Sequence, residues 1–343
     1  MKKFFKMMTF AFDLQLFAGA PNTQTTGTGT LSDEMKTYYS DYLIDNAVPK
    51  LVHDQFGQKH PIPKNGGKII EFRKYSPLPK LTTALTEGVT PDGQALNVST
   101  VTATVAQYGG YITLSDILLL TAIDNNLVQA TKLLGAQAGA TLDTITREVL
   151  NGGTNVIYSG GVTSRANLVG GAATGNFYLT VDDVKKAVRA LKTQNAEKIG
   201  DSFVGIIHPD VAYDLTNDPM WEKVKSYDPK DWYEGEIGRI AGVRFVETTE
   251  AKIWAKAGKN DATAGQRAVY STLILGDNAY GVTEIEGGGL EHIVKQLGSA
   301  GTADPINQRA TVGWKATKVA ERLVEQYMVR IESASTFESG SMN

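Results

Sequence analysis

From Val98 to Val105 the chain alternates with a period of two. Val101, Ala103 and Val105 fall on one side, Thr100, Thr102 and Thr104 on the other. This is the signature of a strand with one covered face, and its β-branched residues suit a pleated surface. It predicts a strand over Val98–Leu114, with Gly109-Gly110 between Tyr108 and Tyr111 marking a local bulge. Lys68–Tyr75 (KIIEFRKY) predicts a shorter strand before it, Ile70 and Phe72 sharing one face and Glu71 and Arg73 the other. Between the two lies Ser76–Asn97, with Pro77, Pro79, Gly88 and a Pro91-Asp92-Gly93 turn but few large apolar residues. A connection this long without elements of its own is uncommon in a compact domain. Two readings stand: a surface hairpin with a loose tip, or a long two-stranded arm reaching away from the body. An isolated hairpin is barely stable in water, so an arm needs a further surface to lie on, such as a second subunit.

The period changes to 3.6 within Ser115–Asn151. Ile123, Leu127, Ala130, Leu134, Ala138, Leu142, Ile145 and Val149 recur at steps of three or four. Asp124, Asn125, Gln129, Lys132, Gln137, Asp143 and Arg147 are assigned mostly to the other side, and Gly152-Gly153 ends the helix. Starting near Asn125, ~27 residues at 1.5 Å each make a spar of roughly 40 Å. An earlier helix is expected over Ser32–Phe56, capped by Ser32, with Met35, Tyr38, Tyr39, Tyr42, Leu43 and Ala47 in phase and Pro49 ending or bending it. Residues 154–176 are Gly-rich and read as loop and short strands. Thr180, with Asp183 three residues on, caps a helix Val181–Gln194 carrying Val184, Val188 and Leu191. Phe203–Ile207 reads as a buried strand, and His208-Pro209 opens a short helix with Val211, Tyr213 and Leu215. Strands are expected in Gly238–Val246, Val269–Leu275, Ala279–Ile285, and around Val312–Trp314 and Tyr327–Ile331. The second half is therefore an α/β or α+β core, and the chain as a whole belongs to the α+β class. No repeat with a fixed period is present.

Composition narrows the function classes. Of 343 residues, 42% are hydrophobic and 21% charged, the balance of a folded chain. Lys and Arg number 34 against 37 Asp and Glu, a net charge of 34 − 37 = −3. Proteins that coat nucleic acid by neutralising phosphate are strongly basic, so that class is set aside. The absence of Cys removes disulfides, thiolate metal sites and cysteine nucleophiles together, and four His leave little for a histidine-rich metal site. There is no Walker-type loop, no GxGxxG after a strand, no HExxH and no GxSxG. His208 and Asp210 are an acid–base pair on paper, but Asp210 beside Pro209 is more simply a charge at a helix start. Glu234 and Glu236 flank Gly235 in a polar loop, with calcium the weaker alternative. The reading is therefore no catalytic, cofactor or metal site. Met1–Ala20 imitates a signal peptide, but Lys6 and Asp13 interrupt its apolar stretch. No segment offers the ~20 apolar residues of a membrane span. Pro21–Thr30 reads as an extended arm or linker.

One family shares several of these features in order. DLQLFA at Asp13–Ala18 is followed by the long hairpin, the long helix and the mixed part with IIHPDVAYDL at Ile206–Leu215. After these come IGRIAGVRFVETT at Ile237–Thr249, VGWKATKVAE at Val312–Glu321 and YMVRIES at Tyr327–Ser333. The arrangement resembles the major capsid proteins of tailed double-stranded-DNA bacteriophages, with the Hong Kong 97 fold. The resemblance covers essentially the whole chain and rests on packing and turn patterns, not on catalytic signatures. It implies an N-terminal arm over 1–60, an extended hairpin loop over 61–114 and a peripheral domain with a spine helix over 115–179. It further implies an axial domain over 180–304, and C-terminal strands over 305–343 that return to the peripheral domain. The implied function is self-assembly, as hexamers and pentamers, into the icosahedral shell of a virion. That shell is assembled in the host cytoplasm with a separate scaffolding protein and a portal. It encloses double-stranded DNA without tight sequence-specific binding and involves no membrane. Inter-subunit contacts are expected at Phe12, Leu14, Leu16 and Phe17 of the arm, and at Glu71, Arg73, Lys80, Glu87 and Asp92 of the hairpin. Some members carry Lys–Asn cross-links; Lys74 and Lys80 lie in the hairpin, but no such link is expected from them. Two alternatives share parts of this pattern: an encapsulin-like nanocompartment shell and a phage tail structural protein.

Overall fold

A computed structural model describes residues 23–25, 52–121, 126–168, 177–221, 238–261, 265–299 and 304–337. Its first strands are β1 (Thr23–Thr25), β2 (Gln58–Lys59), β3 (Ile69–Tyr75), β4 (Val98–Thr104) and β5 (Ala106–Ser115). Helices α1 (Asp116–Thr121) and α2 (Asn126–Asn151) follow, then β6 (Val156–Tyr158), α3 (Val181–Thr193), β7 (Phe203–Ile207) and α4 (Pro209–Thr216). Next come β8 (Arg239–Ile240), β9 (Val243–Glu247), β10 (Ile253–Trp254) and a small ladder of β11 (Asn260–Asp261) with β12 (Gly265–Gln266). The chain continues through β13 (Val269–Leu275), β14 (Tyr280–Thr283), β15 (Glu291–Lys295), β16 (Arg309–Arg322) and β17 (Met328–Ser333). The expected helix over Ser32–Phe56 lies outside the described residues as far as Leu51, and its last residues form a turn.

Two sheets organise the rest. The first runs β1-β5-β16-β14-β2, with β15 also on β16. Its centre is the long antiparallel pair β5–β16, in unbroken register from Ser115↔Arg309 to Ala106↔Lys318. One face carries Leu114, Val312, Trp314 and Ala316, and the α2 stripe of Leu127, Leu134, Ala138 and Leu142 packs onto it. At 26 residues α2 is about 39 Å long. The second sheet runs β6-β17-β13-β7-β9-β8, with β10 on β13. Strands β7, β13 and β17 are buried along their whole length, which is why they read as short runs with little alternation. Helices α3 and α4 supply the cover: Val184, Val188, Leu191, Val211 and Leu215 join Phe203, Phe245, Ile274 and Val329 in one core. Thr180 caps α3 by accepting the Asp183 N–H, as its sequence signature predicts.

Four expectations need correction. The strand expected over Val98–Leu114 is two strands in different sheets: β4 pairs only with β3, and β5 pairs with β16. The break falls at Val105, whose side chain continues the buried face while its N–H closes on Lys68 O at 2.8 Å. There is no bulge at Gly109-Gly110, because every residue of β5 has its partner on β16. The glycines serve close approach instead. A Cβ on Gly109 would sit 2.7 Å from the Trp314 carbonyl, and one on Gly110 would sit 2.9 Å from Gln137 Oε1. Asp143 and Arg147 are on the buried side of α2, not the solvent side. The stretch expected around Val312–Trp314 is only the fourth to sixth residues of a 14-residue strand. Its polar positions, Thr311, Lys315 and Thr317, had masked its length.

Candidate assembly surface

The ladder β3–β4 runs from Ile69↔Thr104 to Tyr75↔Val98. Ser76 N–H donates to Asn97 O at 3.0 Å at its far end. Its inner face is held to the body: Ile70, Phe72 and Val101 are half-buried and Ala103 is buried. The Phe72 ring meets His60 edge-on, with centroids 5.8 Å apart. It lies so close to β14 that a Cβ on Gly281 would be 3.1 Å from it. Beyond this root the hairpin leaves the molecule. Every residue from Arg73 to Thr100 is exposed, including Leu81 at 80%, Leu85 at 75% and Leu96 at 70%. Around the tip the space is empty: nothing lies within 4 Å of a Cβ built on Gly88 or Gly93. A contiguous set of exposed leucines marks an interaction surface on a folded protein. Of the residues singled out in the sequence, Glu71 and Arg73 lie exposed on the outer face near the root, and Lys80, Glu87 and Asp92 lie exposed on the tip. Phe12, Leu14, Leu16 and Phe17 lie outside the described residues.

An exposed hairpin, a two-sheet body and a long helix are elements that the resemblance implied, and comparison with known families gives the family. Residues 120–296 match the family described as phage capsid protein. The chain belongs to that family. Solved structures agree on the fold. The capsid of Ralstonia phage GP4 is similar at a TM-score of 0.63 and 15% identity, over 98% of this chain and 100% of that one. The cyanophage Pam1 capsid is similar at 0.58 and 16% identity, over 96% and 100%. The capsid of cyanophage P-SCSP1u is similar at 0.60 and 15%, over 83% and 88%. No curated protein matches in sequence. This capsid protein is therefore a subunit of a multi-subunit phage head shell, and its place is the virion capsid.

The capsid protein also ties down the segment that enters the first sheet, with side chains that the sequence reading passed over. His53 is fully buried. Its backbone N–H donates to Asp143 Oδ1 at 2.9 Å, and its Nδ1 faces Asp143 Oδ2 at 2.7 Å. Thr146 donates to Asp54 Oδ1 at 2.5 Å, and Lys318 Nζ donates to Asp54 and to the Leu142 carbonyl, the latter at 2.9 Å. The Tyr280 hydroxyl donates to the His53 carbonyl. Burial pushes the Lys318 ammonium below its ordinary range against the pull of Asp54, and burial pushes the Tyr280 phenol up. These groups come from α2, β14 and β16, so one polar knot joins the first turn after residue 51 to helix and sheet.

A second buried knot lies in β17. Glu332 is fully buried and accepts both Arg165 Nε and Nη2 at 2.7 Å and Arg330 Nε at 2.8 Å. The Arg165 guanidinium stacks 3.6 Å above the Trp254 ring. His208 is a helix cap: its Nδ1 accepts the Asp210 N–H at 3.2 Å, which leaves the ring proton on Nε2. The Asp210 carboxylate is engaged by the Tyr270 hydroxyl at 2.8 Å. Among the described residues no three His, Asp or Glu gather as metal ligands, and no helix is long and apolar enough to cross a membrane.

Proposed function

We propose that this protein tiles the icosahedral head shell of a tailed phage as hexamers and pentamers, and that its role is structural rather than catalytic. The hairpin is the chief device between subunits. The observation that carries this reading is the set of leucines from Leu78 to Leu96, all exposed on the ribbon beyond its root. Obligate interfaces often bury more than ~2,000 Å², and an arm laid across a neighbour reaches that area with a slender subunit. Closed symmetry then makes many modest contacts cooperative. In this reading residues 115–179 and 305–343 form a peripheral part and 180–304 an axial part, and Glu71, Arg73, Lys80, Glu87 and Asp92 face neighbouring copies. A scaffolding protein and a portal assist assembly in the host cytoplasm. The net charge of −3 suits a container whose double-stranded DNA must slide freely during packing. Deleting Pro77–Ala95 tests the hairpin's role: a soluble, folded subunit that forms few shells by light scattering is expected, and normal shells would refute it. Mass spectrometry of particle contents separates a genome container from an enzyme-filled compartment.

A further inference from the structure

The surface beside the hairpin root carries unspent positive charge. A cleft of about 540 Å³ opens between Lys74 at the end of β3, Arg189 on α3, and Leu323, Val324 and Glu325 in the turn between β16 and β17. A second cleft of about 420 Å³ continues from it along α3, lined by Lys185, Val188, Arg189 and Lys192. Lys185, Arg189 and Lys192 are spaced i, i+4, i+7, so they share one exposed face of the helix. Their neighbour Lys186 is engaged by Asp182 at 2.8 Å and Asp183 at 3.1 Å. Lys74, Arg189 and Lys192 have no ion pair among the described residues. The one carboxylate lining the first cleft, Glu325, is spent on the Thr154 N–H and hydroxyl, which hold it below its ordinary range. In a chain of net charge −3 this is a concentrated basic rim over a partly apolar floor.

We propose that this double cleft receives the hairpin tip of a second copy of the chain. The inference rests on the reading that the hairpin reaches a neighbour, and it names where the tip lands. The tip has the complementary chemistry: Glu87 and Asp92 stand beside Leu85 and Val89, all exposed, so two carboxylates accompany apolar side chains that need cover. The carboxylates meet Lys74, Arg189 and Lys192, and the apolar residues meet the half-buried Leu323 and Val324. A nucleic-acid backbone would use the cations but leave that apolar floor wet. Tip and cleft are different surfaces of one molecule, so the contact is head-to-tail, and a head-to-tail contact that closes makes a ring. Because Lys74 belongs to the hairpin's own root, each seated tip also braces the root of the hairpin beside it.

The absence of native Cys gives a clean test. Particles of the Glu87→Cys, Arg189→Cys double variant, oxidised and run without reductant, are expected to give a ladder of linked subunits ending at five and six copies, while each single variant gives none. Shells that form normally without a ladder, or a link within one chain, would overturn the proposal. Charge reversal supplies the second measurement. Glu87→Lys with Asp92→Lys, or Arg189→Glu with Lys192→Glu, should each lower shell yield roughly tenfold with an unchanged circular dichroism spectrum. Combining both reversals should restore the yield. A cleft reversal that leaves shells intact but abolishes filter retention of a short DNA duplex would assign the cations to nucleic acid instead. If the hairpin reaches no neighbour at all, the Pro77–Ala95 deletion assembles normally, so the two failures are distinguishable.

Discussion

At the scale of single residues, Asp143 shows how this protein uses buried charge. Both of its oxygens are taken by His53, a residue 90 positions earlier in the chain. Asp143→Ala would leave the His53 N–H and ring donor buried without acceptors, a cost of about 1–3 kcal/mol, read as a lower urea midpoint. Asp182→Ala, which breaks an exposed pair with Lys186, should leave the midpoint where it was. An unchanged midpoint for the first variant would show that the knot around His53 is dispensable. Two further histidines set a pH dependence. Burial pushes His208 and His292 below the ordinary histidine value, so below about pH 6.5 the unfolded chain takes up protons that the folded chain resists. Stability is then full above that pH and falls as pH drops through it. The urea midpoint should be lower at pH 5.5 than at pH 7.5, and the double variant His208→Gln, His292→Gln should flatten the difference. An equally steep profile in that variant would remove both residues from the explanation.

At the scale of elements, the face that each side chain takes decides the outcome of a substitution. Leu134 is 3% exposed against the β5–β16 sheet, while Leu133 on the same helix is 66% exposed. Leu134→Asp should cost more than about 4 kcal/mol and abolish the folded circular dichroism signal; Leu133→Asp should leave it intact. Gly109→Ala forces a Cβ against the Trp314 carbonyl and should lower stability by about 1–3 kcal/mol, whereas Gly93→Ala at the open tip should be silent. Equal melting of the two glycine variants would remove close approach as the reason for Gly109. The strands and helices with clean periodicity were legible in the sequence: β3 and β4 with their faces, α2 with its apolar stripe and glycine stop, the cap of α3 and the Pro209 start of α4. Asp143 and Arg147 were misassigned because a charged residue scores as solvent-facing unless its distant partner is known. Lys318 pairs with Asp54, 264 positions away, and such closure is set by the fold rather than by local spacing. The break at Val105 was hidden for a related reason, since the alternation continues through it while the pairing partner changes.

At the scale of the whole molecule, the apolar cores lie in the body, and the hairpin beyond its root has none. Among the described residues the two large sheets and helices α2, α3 and α4 bury apolar faces on one another, and two polar knots tie distant parts of the chain together. The hairpin tip, by contrast, spreads leucines into solvent, and a basic cleft opens beside the hairpin root. A phage capsid protein needs that combination: a rigid tile with surfaces that only other tiles complete. Electron microscopy of the purified full chain at rising concentration addresses this most directly. The account predicts closed, isometric particles of uniform diameter built from rings of five and six. Dispersed single subunits at every concentration, or open tubes and fibres, would contradict it.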